Sequence, residues 1–455
     1  MDATVDTNSR LSSPPGKKIC RVPDRLLKVK PEAYQPCLIP IGPFHRSKIT
    51  PKIKGIEVPG IKEKYLNRLL GRLITSSSEL GTEQRREEKK KTLKECYLAA
   101  AEALPEAEKY YELKKGEQDA DPDVTKEMLV LDGCFILELL CTAYQKEPSS
   151  DPSSHSREQR RKEDPIFGTP HICLTVQLDL LMLENQLPFF VLQRLFDCTV
   201  AKITDRSLDE YVFKFFGNLM TFDHEPNAKR SQPEVTIYHL LHLIQSQYCP
   251  PSQGQQSQGQ HCTSSDLHFT SKYSASDLIY NGIKFMKIEE KEPFNMEFKE
   301  DIYPICWFKR ARLRVPALGI YDSTETFLRN LIAFEQCFPN DITPYVTSYA
   351  FLLNMLVQKE RDVEMLANDK IIHNNLGAND SATKLFKNLC TNVIMEEFCF
   401  SAEWSKVVKY RENWWPPKRA YVRRKYLAGP WTFMAFTAGF IAFAITVASF
   451  ILSLL

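Results

Sequence analysis

The strongest constraint on this chain lies at its end. Trp431 to Leu455 reads WTFMAFTAGFIAFAITVASFILSLL, 25 residues without a charged side chain. As a helix this stretch spans roughly 37 Å, enough to cross a hydrocarbon core of about 30 Å. Its polar residues are Thr432, Thr437, Thr446, Ser449 and Ser453. All are types that return a hydrogen bond to their own helix, so no polar stripe opposes an apolar face as in a soluble amphipathic helix. Trp431 stands at the upstream edge and Tyr426 just outside it, where an interfacial aromatic belt belongs. The sequence predicts a membrane-spanning helix.

The flank before it, KRAYVRRKYLAGP, carries Lys418, Arg419, Arg423, Arg424 and Lys425. Cationic flanks stay on the cytoplasmic side, and these five face the bilayer's anionic lipid headgroups. The N-terminal stretch MDATVDTNSRLSSPPGKK lacks the apolar core of a signal peptide. The expected layout is therefore single-pass and tail-anchored, with a cytosolic body. A span of this length suits the thicker plasma membrane better than the endoplasmic reticulum. The 13 cysteines form no CxxC pair and sit mostly in apolar runs (Cys134, Cys141, Cys173, Cys337, Cys390), as in a reducing compartment. The sequon Asn379-Asp380-Ser381 would be silent in the cytosol.

Composition narrows the chemistry. A net charge of +2 argues against nucleic acid as a partner, since phosphate neutralisation needs a basic excess. Only 17 glycines occur in 455 residues, well below the usual share of about 7%. No GxGxxG, P-loop, GxSxG or HExxH is present. No cofactor, metal site or catalytic residue is predicted, and the chain is expected not to be an enzyme.

Four regions follow. Residues 1–18 read as a disordered tail and 19–410 as the folded body. A basic juxtamembrane segment, 411–430, precedes the span at 431–455. Within the body, KEPSSDPSSHSREQRRKEDP (146–165) and SQYCPPSQGQQSQGQHCTSS (246–265) are too poor in apolar residues to offset ordering and read as mobile excursions. They leave three ordered blocks, roughly 19–145, 166–245 and 270–410. The fold class expected is mainly α, a multi-helix globular body with minor β.

Helices are predicted over 85–112, broken at Pro105, over 126–144, over 171–196 and over 346–368. The second and third are apolar on nearly every face. Asp132 and Glu138, and Asp179 and Glu184, sit at their centres and argue for burial in protein rather than in lipid. The string RLRVPALGIY alternates like a strand. Asp322 and Glu325 after it are spaced as helix N-cap and N3, opening a helix with Phe327, Leu328, Leu331, Ile332 and Phe334 on one face.

The densest polar cluster in an apolar context is Asp179, Glu184, Asn185 and Gln186. One reading makes Asp179 and Glu184 an acid–base carboxylate pair. Their i,i+5 spacing on a helix separates them by about 140°. The favoured reading has them satisfying backbone groups near Pro188, which removes an N–H and bends the chain. His239 and His242 are three apart but lack a third ligand at supporting spacing. His45 belongs to a turn after Gly42-Pro43, Glu335 reads as a buried acceptor, and RREEKKK (85–91) as a solvated helix face.

Distributed strings carry a resemblance: CRVPDRLLKVKPEAYQPCLIPIGPFHR (20–46), MLVLDGCFILELL (128–140), DLLMLENQLPFFVL (179–192), SASDLIYNGIKF (274–285), LRVPALGIYDSTETFLRNLIAFEQC (313–337), VTSYAFLLNMLV (346–357) and DVEMLANDKIIHNNLGANDSATKLFKNLC (362–390), with GPW (429–431) before the anchor. In that order they resemble the plant domain-of-unknown-function 247 family, also called UPF0481. Phe44 and Arg46 depart from the family's usual IGPYHHG-like string. The resemblance implies a C-terminal membrane helix and no agreed catalytic residues. It also implies associations with recognition and signalling, including pollen-side self-incompatibility in grasses.

Two functions are carried forward. The first is a membrane-anchored recognition, signalling or scaffold component that binds an unidentified protein partner. The alternative is a membrane-tethered hydrolase or transferase using the buried carboxylates.

Overall fold

In the computed structural model the described residues are 16–46, 52–53, 55–75, 81–114, 121–144, 163–219, 236–248, 273–288, 295–303, 308–412 and 430–454. The body is mainly helical with a minor β component. Its first half centres on the Lys126–Tyr144 helix, whose bounds match the sequence reading. The Val58–Thr75, Thr82–Tyr110, Phe189–Cys198 and Leu208–Phe216 helices pack around it. A helix buried on nearly all sides must be apolar on nearly all sides, and this one is. In the second half the Thr324–Cys337 helix packs on Tyr345–Leu356 and Asn379–Leu389. The short Leu240–Ser246 helix touches both Leu208–Phe216 and Thr324–Cys337. One continuous apolar core runs from Ile19 to Tyr410, so the three ordered blocks share a single interior.

The largest sheet has three strands, with Phe308–Val315 between Ile283–Lys287 (parallel) and Glu297–Tyr303 (antiparallel). The predicted alternation holds there: Ala311, Leu313 and Val315 are buried. Leu318–Ile320, beyond Pro316, pairs in parallel with Ile372–Asn374.

Four local expectations are corrected. Pro105 does not break its helix, which runs unbroken over Thr82–Tyr110, because buried Ala100, Ala103 and Ala107 hold that face to the core. The 346–368 helix is two, Tyr345–Leu356 and Glu360–Asn368. At the break, the Asp362 carboxylate accepts the N–H groups of Gln358 (3.1 Å) and Lys359 (2.9 Å). The helix after RLRVPALGIY starts at Thr324, with Ser323 rather than Asp322 at its N-cap. Thr324 Oγ1 accepts the Tyr321 N–H at 2.9 Å, while Glu325 bonds Lys30 (2.5 Å) and Arg329 (2.9 Å).

The fourth correction concerns 171–196. Helix is present only over Pro170–Asp179 and Phe189–Cys198. Between them, side-chain amides take the carbonyls that a continuing helix would use. Asn185 Nδ2 donates to the Asp179 carbonyl, and Gln186 Nε2 to those of Leu180 and Met182, each at 2.8 Å. The Leu183 N–H goes instead to Asn330 Oδ1 at 3.0 Å. Asp179 and Glu184 therefore do not share a helix, and the 140° argument does not apply.

Most of the two excursions, and residues 1–15 of the tail, lie outside the described residues. Their described edges are packed. Asp164 and Tyr248 are buried, and Lys18 Nζ sits 4.2 Å from the centroid of the Tyr238 ring. The final helix spans Pro430–Leu454. Its Met434–Leu452 stretch has mean hydropathy 2.2 and no burial in the body, long and apolar enough to cross a membrane. Thr437 and Thr446 return their hydroxyls to the Met434 and Ala442 carbonyls.

Candidate functional site

The polar cluster does one thing clearly: it clamps the N-terminal segment, residues 16–46, onto the core. This segment is mostly irregular, with only a short Asp24–Leu27 helix and a Pro31–Tyr34 3-10 turn. An irregular backbone inside a protein must find partners for its N–H and C=O groups. Asp179, at the end of its helix, supplies them. Its Oδ1 accepts the Cys37 N–H (2.8 Å), and its Oδ2 those of Leu38 (2.7 Å) and Ile39 (2.8 Å). Asn185 Oδ1 accepts from Ile41 (2.6 Å), while its Nδ2 donates to the Ile39 carbonyl (2.8 Å).

Glu184 acts nearer the start of the segment, at Arg21 and Val22. Its Oε1 accepts the Val22 N–H at 2.8 Å, and its Oε2 meets Arg21 Nη1 at 3.0 Å and His45 Nε2 at 3.5 Å. The Arg21 guanidinium also pairs with Asp121 and stacks 4.0 Å from the centre of the Phe44 ring. Gln186 reaches the other way, accepting the Leu241 N–H through Oε1 at 3.3 Å. So the four predicted residues are brought together as one cluster, between the N-terminal segment and the helices behind it.

Sequence reasoning missed three further members. Asp132 accepts the Gly42 N–H (2.9 Å) and the Lys62 ammonium (2.5 Å), and Lys62 also donates to the Pro40 carbonyl (2.5 Å). Asn330 donates to the Ala33 carbonyl at 2.8 Å while taking the Leu183 N–H. For Asp132 and Asn330 the advance signal was polarity in the middle of apolar helices; Lys62, in a helix rich in charged residues, carried none. Gly42 completes the clamp: its φ of +68° suits glycine, and a Cβ there would lie 2.9 Å from the Gln186 carbonyl oxygen.

Burial dominates the protonation behaviour. It pushes the Asp179 carboxyl up to about 6, against the pull of the Cys37, Ile39 and Leu38 N–H groups. Burial lowers the Lys62 ammonium below its ordinary value despite Asp132. Elsewhere in the core, burial raises Glu335 to about 7, opposed by bonds from Thr347, Gln245 and Val346. Glu335 is the buried acceptor expected, receiving the Val346 (3.0 Å) and Thr347 (2.7 Å) N–H groups at the start of the Tyr345–Leu356 helix.

The histidines are placed differently from a metal pair. His239 is the N-cap of the Leu240–Ser246 helix, its Nδ1 accepting the His242 N–H at 3.2 Å. His242 Nδ1 accepts the Tyr238 N–H at 3.1 Å. Burial lowers both, His242 to about 4. Among the described residues no group of three or more His, Cys, Asp or Glu is placed to hold a metal ion. His45 lies in the expected turn, and 85–91 is a solvated helix face. Lys418, Arg419, Arg423, Arg424, Lys425 and Tyr426 lie outside the described residues, and Trp431 falls in the first turn of the final helix.

The clamp starts where homology starts. A profile of the family described as "Plant protein of unknown function" matches residues 19–445, from the clamped segment into the final helix. The chain belongs to this family. Within it, UPF0481 protein At3g47200 of Arabidopsis thaliana is 28% identical over 92% of this chain and 83% of its own length. A second Arabidopsis thaliana member, UPF0481 protein At3g02645, is 25% identical over 36% of this chain and 30% of its own length. No solved structure matches the chain. For this family member the arrangement at 179–186 is chemically a set of carboxylates and amides that satisfy fixed backbone N–H and C=O groups.

Proposed function

We propose that this protein is a single-pass membrane protein, anchored by its C-terminal helix, whose cytosolic body is a protein-recognition or scaffold component in signalling without catalytic activity of its own. The observation that carries the reading is the apolar Pro430–Leu454 helix, which the body leaves uncovered over Met434–Leu452. The basic residues before it favour the cytosolic orientation and a contact with anionic headgroups. The alternative, a hydrolase or transferase using these carboxylates, is disfavoured because the Asp179 and Glu184 oxygens are engaged by backbone N–H groups and Arg21 rather than held open for a substrate. A general acid or base needs a reacting proton within hydrogen-bond reach, and here that reach is taken by backbone.

The test is proximity labelling of the full-length chain in plant cells, compared with a chain lacking 430–455. The expected result is a reproducible partner set that is lost or replaced without the anchor. An unchanged set overturns the link between membrane position and function. Glycosylation at Asn379, read as an endoglycosidase-sensitive mass shift, overturns the cytosolic orientation.

A further inference from the structure

The three-stranded sheet has two unlike faces. Ile283, Phe285, Met296, Phe298, Ala311, Leu313 and Val315 are buried in the core. On the opposite face the register aligns Lys284, Arg312 and Lys299 as one row across the three strands. The adjacent row adds Arg314, opposite Met286 and Glu297. Lys284 and Lys299 are exposed, Arg312 and Arg314 half-buried. Among the described side chains of this face the acid is Glu297, which contacts both Lys299 (2.5 Å) and Arg314 (3.4 Å). Asp369 lies near Lys284 and accepts the Phe285 N–H.

Like charges directly across strands cost the sheet stability, and Glu297 on Lys299 and Asp369 beside Lys284 offset part of that cost. The location of the row is informative. The free edge of Glu297–Tyr303 is covered by the Ser401–Glu412 helix, with the Phe298 N–H donated to Glu403 Oε2 (2.7 Å) and Phe298 against Tyr410 at 5.6 Å between ring centroids. That helix is the last described element before the membrane-crossing helix. Covering the edge protects it from pairing with another strand and leaves the charged face as the open surface.

We infer that the Lys284–Arg312–Lys299 row is a second membrane contact, docking the body on the anionic surface of the bilayer that holds the anchor. The inference rests on the anchored reading above. The row complements the charge of a leaflet containing phosphatidylserine, and each cation brought to such a surface contributes about a fivefold preference. The flat face of a sheet presents several cations to a plane at once, and the anchor keeps that plane within reach.

The test uses the full-length chain in nanodiscs of neutral phosphatidylcholine and in discs containing phosphatidylserine. An amine-acetylating reagent with mass spectrometry reads each lysine. Lys284 and Lys299 are expected to lose labelling in anionic discs and recover it in neutral ones, while exposed Lys90 on the Thr82–Tyr110 helix labels equally in both. Equal labelling of Lys284 and Lys299 in the two discs overturns the inference while leaving the anchor intact. Failure of the chain to enter either disc overturns the anchored reading, and the inference with it.

Discussion

Replacing Asp179 by Ala removes the acceptor for three N–H groups, those of Cys37, Leu38 and Ile39. An orphaned buried donor costs about 1–3 kcal/mol. Cys37 is exposed and Leu38 half-buried, so water recovers part of two of them, whereas Ile39 is fully buried. The local cost is therefore about 3–5 kcal/mol. Asp179→Asn keeps one carbonyl oxygen, able to retain the Leu38 and Ile39 bonds, and turns its amide toward Cys37, costing about 1–3 kcal/mol.

Protonation adds a signed pH term. With its folded carboxyl raised from 3.8 to about 6, Asp179 binds more proton folded than unfolded between those values. Its contribution to stability is then greatest at low pH and is lost as pH rises through about 6. Between pH 5 and pH 8 the loss comes to roughly 1.4 kcal/mol, which both variants abolish. The assay is amide hydrogen exchange of residues 37–39 in the full-length chain, with denaturation midpoints at pH 5 and pH 8. The Ala variant should speed exchange of the Ile39 amide by about a hundredfold to a few thousandfold, since each 1.4 kcal/mol is tenfold, and the Asn variant by less. Wild-type exchange at 37–39 in the Ala variant would refute the clamp.

Three further outcomes follow from the same geometry. Gly42→Ala puts a Cβ at a φ of +68° and 2.9 Å from the Gln186 carbonyl; exchange at 37–42 should rise and the thermal midpoint fall. Pro105→Ala, at an exposed position inside a continuous helix, should stabilise by about 1–3 kcal/mol in chemical denaturation, by restoring an N–H and removing a ring clash. Glu335, raised from 4.5 to about 7 by burial, also stabilises most at low pH. Across pH 5 to pH 8 its term falls by roughly 2–3 kcal/mol, and Glu335→Gln should flatten that part of the pH profile; an unchanged slope counts against it.

How much was legible in advance varied with the range of the interaction. The Lys126–Tyr144 helix could be read end to end because its residues are apolar on nearly all sides, as burial on nearly all sides requires. The breaks at 180–188 and 357–359 could not. They are made by Asn185, Gln186 and Asp362 bonding backbone groups, a competition that hydrophobic periodicity does not register. The cluster at 179–186 was visible as polarity in an apolar setting, but its purpose was not. Asp179 meets its donors across about 140 residues of chain, and Asn330 reaches Ala33 across 297.

What the sequence determined by itself is the part governed by transfer between water and an apolar phase. That covers the apolar terminal helix, the mainly helical body and the inward faces of its helices and sheet. These follow from the solubility of each side chain and need no knowledge of a partner. Only the tertiary structure decided that Asp179, Glu184, Asn185 and Asp132 would be spent on the N-terminal segment, and that Lys284, Arg312 and Lys299 would line up on one face. Hydrogen bonds and charge rows depend on direction and separation to within tenths of an ångström, and those are set only when distant stretches of chain are brought together.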